Sequence, residues 1–178
     1  MYGPENMAGT ADTTELLARG AQGDSAAFTE LAGRHRARLL GLCRLITCDK
    51  AAAHAAATAA LRDAWRRLTD GGGASGTALS TASALFDRCA VIHSLALALA
   101  PDSRAADPDH PYPEADTGAF ESALRRLPPR RRAMLALSDF AGLSYDEIAD
   151  TMDEPPARVR QEVGKARRDL LRPAPTMR

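Results

Sequence analysis

The densest chemistry in this sequence is a run of cationic and amide side chains near its carboxyl end. Arg158, Arg160, Gln161, Lys165, Arg167 and Arg168 fall within sixteen residues, interleaved with Val159, Val163, Ala166 and Leu170. The apolar members recur every three or four positions, so they form the inner face of a helix and leave the polar set outside. None of the outer residues is a nucleophile or a general base. An arginine fork bonds two acceptors on guanine, and a glutamine amide does the same on adenine, so Arg158, Arg160 and Gln161 near the helix start suit base edges in a major groove. Arg167, Arg168 and, from an earlier segment, Arg130, Arg131 and Arg132 suit phosphates, which position a protein without specifying sequence. The plain alternative is a solvated basic face on a packing helix.

The elements that position this run are well punctuated. Pro129 suits a first helical turn, and that helix is expected to run to about Phe140, with Met134, Leu135 and Leu137 apolar, until Gly142 stops it. Ser144 and Glu147 have the spacing of a capping box, and Leu143 and Ile148 that of a hydrophobic staple. A short helix over 145–152 follows, then the tight segment 153–156, then the basic helix over 156–171. Two helices joined by three or four residues, the second longer and basic outside, describe a helix-turn-helix. A shorter helix carrying Phe120, Ala123, Leu124 and Leu127 precedes them.

The first half is also helical in pattern. Residues 1–11 have no apolar period and are expected to be a loose tail, with Asp12 and Glu15 marking a helix start. Asp24 caps a helix whose stripe is Phe28, Leu31, His35, Leu39, Leu42 and Ile46, with His35 read as a core histidine. Asp49 caps an alanine-rich helix through Leu68 with Leu61 and Trp65 on one side. A glycine loop over 70–76 leads to a fourth helix over about 78–99, carrying Leu79, Leu85, Phe86, Cys89, Ile92, Leu95 and Leu99. Residues 101–116 hold four prolines and five acids and form a linker. No strand pattern and no internal repeat stands out.

Composition narrows the function. The 178 residues suit one ordinary domain or two small ones. Residues 1–116 hold 11 basic and 14 acidic side chains, whereas 117–178 hold 12 basic and 9 acidic, so the positive excess lies with the basic helix. No basic-then-apolar leader and no membrane-length apolar run is seen, which predicts a cytoplasmic protein with no membrane contact. Three cysteines, Cys43, Cys48 and Cys89, do not make an even disulfide framework. With His54 and His93 they lack zinc spacing, although Cys89 and His93 would share a helix face; no metal and no cofactor is expected. No phosphate-cradling glycine loop and no catalytic triad order appears, so an enzyme is not expected.

The stretch from Leu124 to Leu171, with "LPPR", "GLSYDEIA" and "KARRDLL", resembles the fourth conserved region of bacterial sigma factors of the extracytoplasmic-function type. That resemblance implies recognition of a promoter's −35 element. Glu162 departs from it, standing where the family usually carries a basic residue. "GDSAAFTELAGRHRARLLGL", Gly23 to Leu42, and Trp65 within "LRDAWRRL" are similar to the second conserved region. The family's polymerase-gripping segment is acidic and contains glutamine. Here it reads DKAAAHAAATAAL, with Ala52, Ala53, Ala55 and Ala59 in place of polar contacts. The resemblance leaves Asp49, Leu61 and Trp65 as the polymerase-facing residues. The helix that captures the −10 element carries only Arg88 and Phe86 of the expected cations and aromatics, little for holding extruded bases.

The expectation is therefore an all-α chain of two small helical domains. A region 2-like bundle over 12–100 and a region 4-like helix-turn-helix over 117–172 are joined by a Pro/Asp-rich linker over 101–116, with a tail over 173–178. The expected partners are promoter DNA with a −35-like element, RNA polymerase core and an anti-sigma factor. Two other readings remain: a sigma-like decoy that binds a protein without opening promoters, and a stand-alone helix-turn-helix regulator.

Overall fold

A computed structural model of the chain describes residues 5–70, 81–100 and 119–171. Among these residues every regular element is a helix. They are α1 (Glu5–Ala21), α2 (Ser25–Thr47), α3 (Lys50–Thr69), α4 (Ala82–Ala98), α5 (Ala119–Arg126), α6 (Pro129–Asp139), α7 (Tyr145–Met152) and α8 (Pro156–Leu171). The glycine loop, the proline-rich linker and the 173–178 tail lie outside the described residues.

Local chemistry accounts for most helix starts. The Asp24 carboxylate accepts from the amides of Ala26 and Ala27, both at 3.0 Å, and so satisfies donors that α2 leaves open. Asp49 does the same for α3 through the Ala52 amide at 2.6 Å. Two starts differ from expectation. α1 begins at Glu5, because residues 5–11 contain no proline and run on into the 12–21 segment, so the expected 1–11 tail is helical from residue 5 and Asp12 lies inside the helix. α4 begins at Ala82, because the Thr81 hydroxyl accepts from the Ala84 amide at 3.2 Å and caps it there; Leu79 lies outside the described residues.

α2, α3 and α4 pack as a bundle around Leu31, Leu39, Leu42, Ile46, Leu85 and Phe86. The alanines of α3 explain how closely it packs. Ala53, Ala56, Ala57, Ala60 and Ala64 fall on one face and are buried, so the α3 backbone approaches its neighbours with only methyl groups between. Phe28 fills the end of the bundle, its ring 5.0 Å from Trp65 and 6.0 Å from Phe86. His35 is on the stripe as expected, half-buried with its ring 5.1 Å from Phe86, and burial lowers its pKa. Ile92 and Leu99, expected inside, are exposed. Ala90, Val91 and Ser94 take the inner positions of α4 instead.

The second half packs Met134, Leu137, Ile148, Met152, Val159 and Val163 into its own centre. It also rests on the first half, with α6 against α2 and α4, and α7 against α4. Arg38 of α2 joins three elements. Its guanidinium donates to both oxygens of the buried Asp87 on α4, at 3.0 and 2.6 Å, and to the Ala141 carbonyl beyond α6 at 2.9 Å. Arg88 of α4 donates to the Asp150 carbonyl of α7 at 3.1 Å. The Phe140 ring lies where a side chain on Gly41 would be. Beside it, Leu45, Cys48, Phe120 and Leu124 help line a groove of about 300 Å³.

Candidate nucleic-acid interface

The helix-turn-helix is built as its sequence suggests. The Ser144 hydroxyl accepts from the Glu147 amide at 3.3 Å, and the Glu147 carboxylate accepts from the Ser144 amide at 2.8 Å. That reciprocal pair holds the Glu147 carboxyl below its usual range. Ile148 is fully buried and Leu143 packs against the core, which closes the staple. Asp153, left-handed at φ 53°, ends α7, and α8 begins three residues later at Pro156.

α8 buries Val159, Val163 and Ala166 against α6 and α7. At 100° per residue, the line opposite this core contains Ala157, Gln161, Gly164 and Arg168. Gln161 and Arg168 are exposed there. Neither has an ion-pair or hydrogen-bond partner among the described residues. The other predicted DNA-contacting side chains lie on the flanks of α8 and on α6, and they already have partners. Arg130 pairs with Glu154 at 2.6 Å, and Arg158 faces the other oxygen of Glu154 at 3.2 Å. Arg131 bridges Glu162 at 2.8 Å and Asp169 at 3.0 Å, while Lys165 holds Glu162 at 2.9 Å. Arg167 pairs with Asp139 at 2.5 Å and also reaches the Ser138 hydroxyl at 3.1 Å. Arg160 lies over the Tyr145 ring, 5.7 Å from its centre. Hydrogen bonds from Lys165 and then Arg131 hold the Glu162 carboxyl below its usual range, and Arg167 does the same for Asp139.

Arg132 departs from the phosphate role. It is buried at 7 % exposure, and its closest hydrogen bond is to the Arg125 carbonyl at 3.4 Å. Burial lowers its pKa, as desolvation disfavours the charged form. Partners not singled out as such in the sequence include Ser138, Asp139, Tyr145, Glu154 and Asp169. Glu154 stands four residues before Arg158 and Glu162 three before Lys165, spacings that do signal same-helix pairing. The cross-helix pairs to α6 have no local signal.

The residues expected to face polymerase have structural duties. Asp49 caps α3, Leu61 is half-buried against the core, and Trp65 is half-buried against Phe28. Ala53 is buried, so no polar contact is missing there; Ala55 is exposed, and Ala52 and Ala59 are half-exposed. On α4 the sole arginine, Arg88, is engaged by α7. Cys43, Cys48 and Cys89 are free and buried, and His54 is exposed with Nδ1 2.8 Å from the Lys50 carbonyl. Among the described residues no group of three or more His, Cys, Asp or Glu is placed to hold a metal ion, and no helix is long and apolar enough to cross a membrane.

Comparison with known proteins agrees with the helix-turn-helix. Residues 117–170 match the family model "Sigma-70, region 4". The ECF RNA polymerase sigma factor SigE of Mycolicibacterium smegmatis is 37% identical over 65 residues, which cover 36% of this chain. The matched part spans a quarter of that relative's length. The structure of CnrH in complex with the cytosolic domain of CnrY shares the fold, with a TM-score of 0.67 and 21% identity over 89% of this chain and 94% of that one.

Proposed function

We infer that this chain belongs with the sigma factors of the extracytoplasmic-function type and serves transcription by placing α8 in the major groove of a −35-like promoter element. The observation that carries this reading is the outer line of α8. Gln161 and Arg168 stand exposed and unpaired on a helix-turn-helix that matches region 4. Gln161 supplies a donor and acceptor pair for a base edge, and Arg168, two turns further on, suits a phosphate. In this reading the N-terminal bundle contacts RNA polymerase core, the groove beside Phe120 and Phe140 suits an apolar segment of an anti-sigma factor, and the protein works in the cytoplasm.

A second reading is supported by α3 and α4. The acids expected on α3 are alanines, Asp49 is a cap, and Arg88 is held by the second half. These features favour a sigma-like protein that binds DNA and a protein partner without opening promoters.

Fluorescence anisotropy with duplexes selected from a random pool, alongside a pull-down of polymerase core and a run-off assay, tests both. Arg168→Ala is expected to weaken binding to all duplexes and reduce the salt slope by about 1, whereas Gln161→Ala relaxes discrimination at one position. Unchanged binding in both variants removes α8 from the reading role. DNA binding without polymerase binding selects the second reading, and specific transcripts select the first.

A further inference from the structure

Two glutamates divide four of the cations around the helix-turn-helix in the same way. Glu154, in the turn and only 9 % exposed at its side chain, gives one oxygen to Arg130 of α6 and the other to Arg158 of α8. Glu162 gives one oxygen to Arg131 of α6 and the other to Lys165 of α8. Asp169 takes a second nitrogen of Arg131. We propose that Glu154 and Glu162 set how tightly this helix-turn-helix holds any DNA: each withholds one arginine of α6 and one cation of α8 from phosphate, lowering sequence-independent binding while Gln161 and Arg168 stay available for contact.

The physical argument is one of selective loss. Contacts to phosphate strengthen binding to every sequence alike, and each neutralised phosphate contributes about 0.9 to the slope of log affinity against log salt. A cation held at 2.6–3.2 Å by a carboxylate must leave that partner before it meets a phosphate, so its contribution to binding any duplex falls. Gln161 carries no charge and has no partner to leave among the described residues, so its base-edge contact is unaffected. Affinity for every duplex therefore falls by about the same factor, while the base preference supplied by Gln161 is kept. This inference rests on the DNA-binding reading above.

The test uses the full chain, a duplex selected from a random pool and a scrambled duplex of the same length. Glu154→Gln with Glu162→Gln keeps the side-chain shape and removes both charges. The double variant is expected to steepen the salt slope on the scrambled duplex by about 2.7, three phosphate contacts' worth, since Asp169 still holds Arg131. It is expected to gain affinity for the scrambled and the selected duplex by about the same factor. Introducing the same pair into an Arg130→Gln/Arg158→Gln/Lys165→Gln background is expected to leave the slope unchanged. Circular dichroism melting of each variant checks that it folds. An unchanged slope in the first background overturns the proposal. So does an equal gain in the second, which means the glutamates act by repulsion at a distance rather than by holding these cations. Failure of the unaltered chain to bind either duplex at low salt instead overturns the DNA-binding reading, and this inference with it.

Discussion

Asp63 lies 3.0 Å from Arg67 and 3.4 Å from His93, on the surface where α3 meets α4. It also faces the Cys89 thiol. Burial first, and that carboxylate second, push the thiol up to about 12. Burial likewise raises Cys43 and Cys48. A thiol reacts as its thiolate, and near pH 8 a group titrating about four units higher is almost wholly protonated. Ellman's reagent at about pH 8 is therefore expected to find no fast-reacting thiol in the folded protein and all three cysteines after unfolding in guanidinium. Prompt reaction of one thiol in the native state would mean that its part of the bundle opens. At this scale the sequence was informative about residue type and poor about duty. Trp65 and Asp49 have the identities expected of a polymerase-contacting segment. Asp49 is the helix cap that its local spacing also indicates, and Trp65 is an aromatic neighbour of Phe28, an assignment that depends on which elements meet.

Elements were legible where their ends are written in local chemistry. Ser144 with Glu147, Gly142 at φ 71°, and Pro129 at the first turn all mark boundaries that the structure keeps, because each acts within four residues. α1 and α4 were misplaced at their starts, since a helix can continue through residues without a strong signal and a threonine can cap it unannounced. Gly164 poses a different question within α8. A Cβ there would meet only an Arg168 guanidinium nitrogen at 3.7 Å, an ordinary contact, so the free protein gives no steric reason for glycine mid-helix. Gly164→Ala is expected to stabilise the chain by about 0.5–1 kcal/mol, read as a raised Tm. Because Gly164 lies on the outer line with Gln161 and Arg168, the same methyl is expected to weaken duplex binding in the anisotropy assay. A raised Tm with unchanged affinity would mean that the α8 backbone stays clear of the groove floor.

Nothing local in the sequence announces how the halves meet. The proline-rich stretch suggests two helical domains joined by a linker, and among the described residues α6 of the second half rests on α2 and α4 of the first. Arg38 is the pivot. Its partners are 49 and 103 residues away, too far for any spacing rule, and its fork both neutralises Asp87 and ties it to the Ala141 carbonyl. Asp87 is 1 % exposed, so that fork is what satisfies its buried oxygens. The hydrogen bonds to Asp87, the largest cause, also raise the Arg38 pKa. Removing one partner of a buried pair strands the other charge, at a cost of about 3–5 kcal/mol. Arg38→Met keeps the apolar stem and is expected to lose stability on that order. Asp87→Asn with Arg38→Met, which strands no charge, is expected to recover part of it. The loss should reach both halves. In the unaltered chain, fluorescence of Trp65, the only tryptophan, and amide exchange across α8 are expected to report one cooperative transition. In Arg38→Met the α8 amides are expected to exchange at lower denaturant than Trp65 unfolds, because the Ala141 anchor is lost along with the pair. Coincident transitions in the variant would show that apolar contact between α2 and α6, with Phe140 seated against Gly41, suffices to hold the halves together without the ion pair.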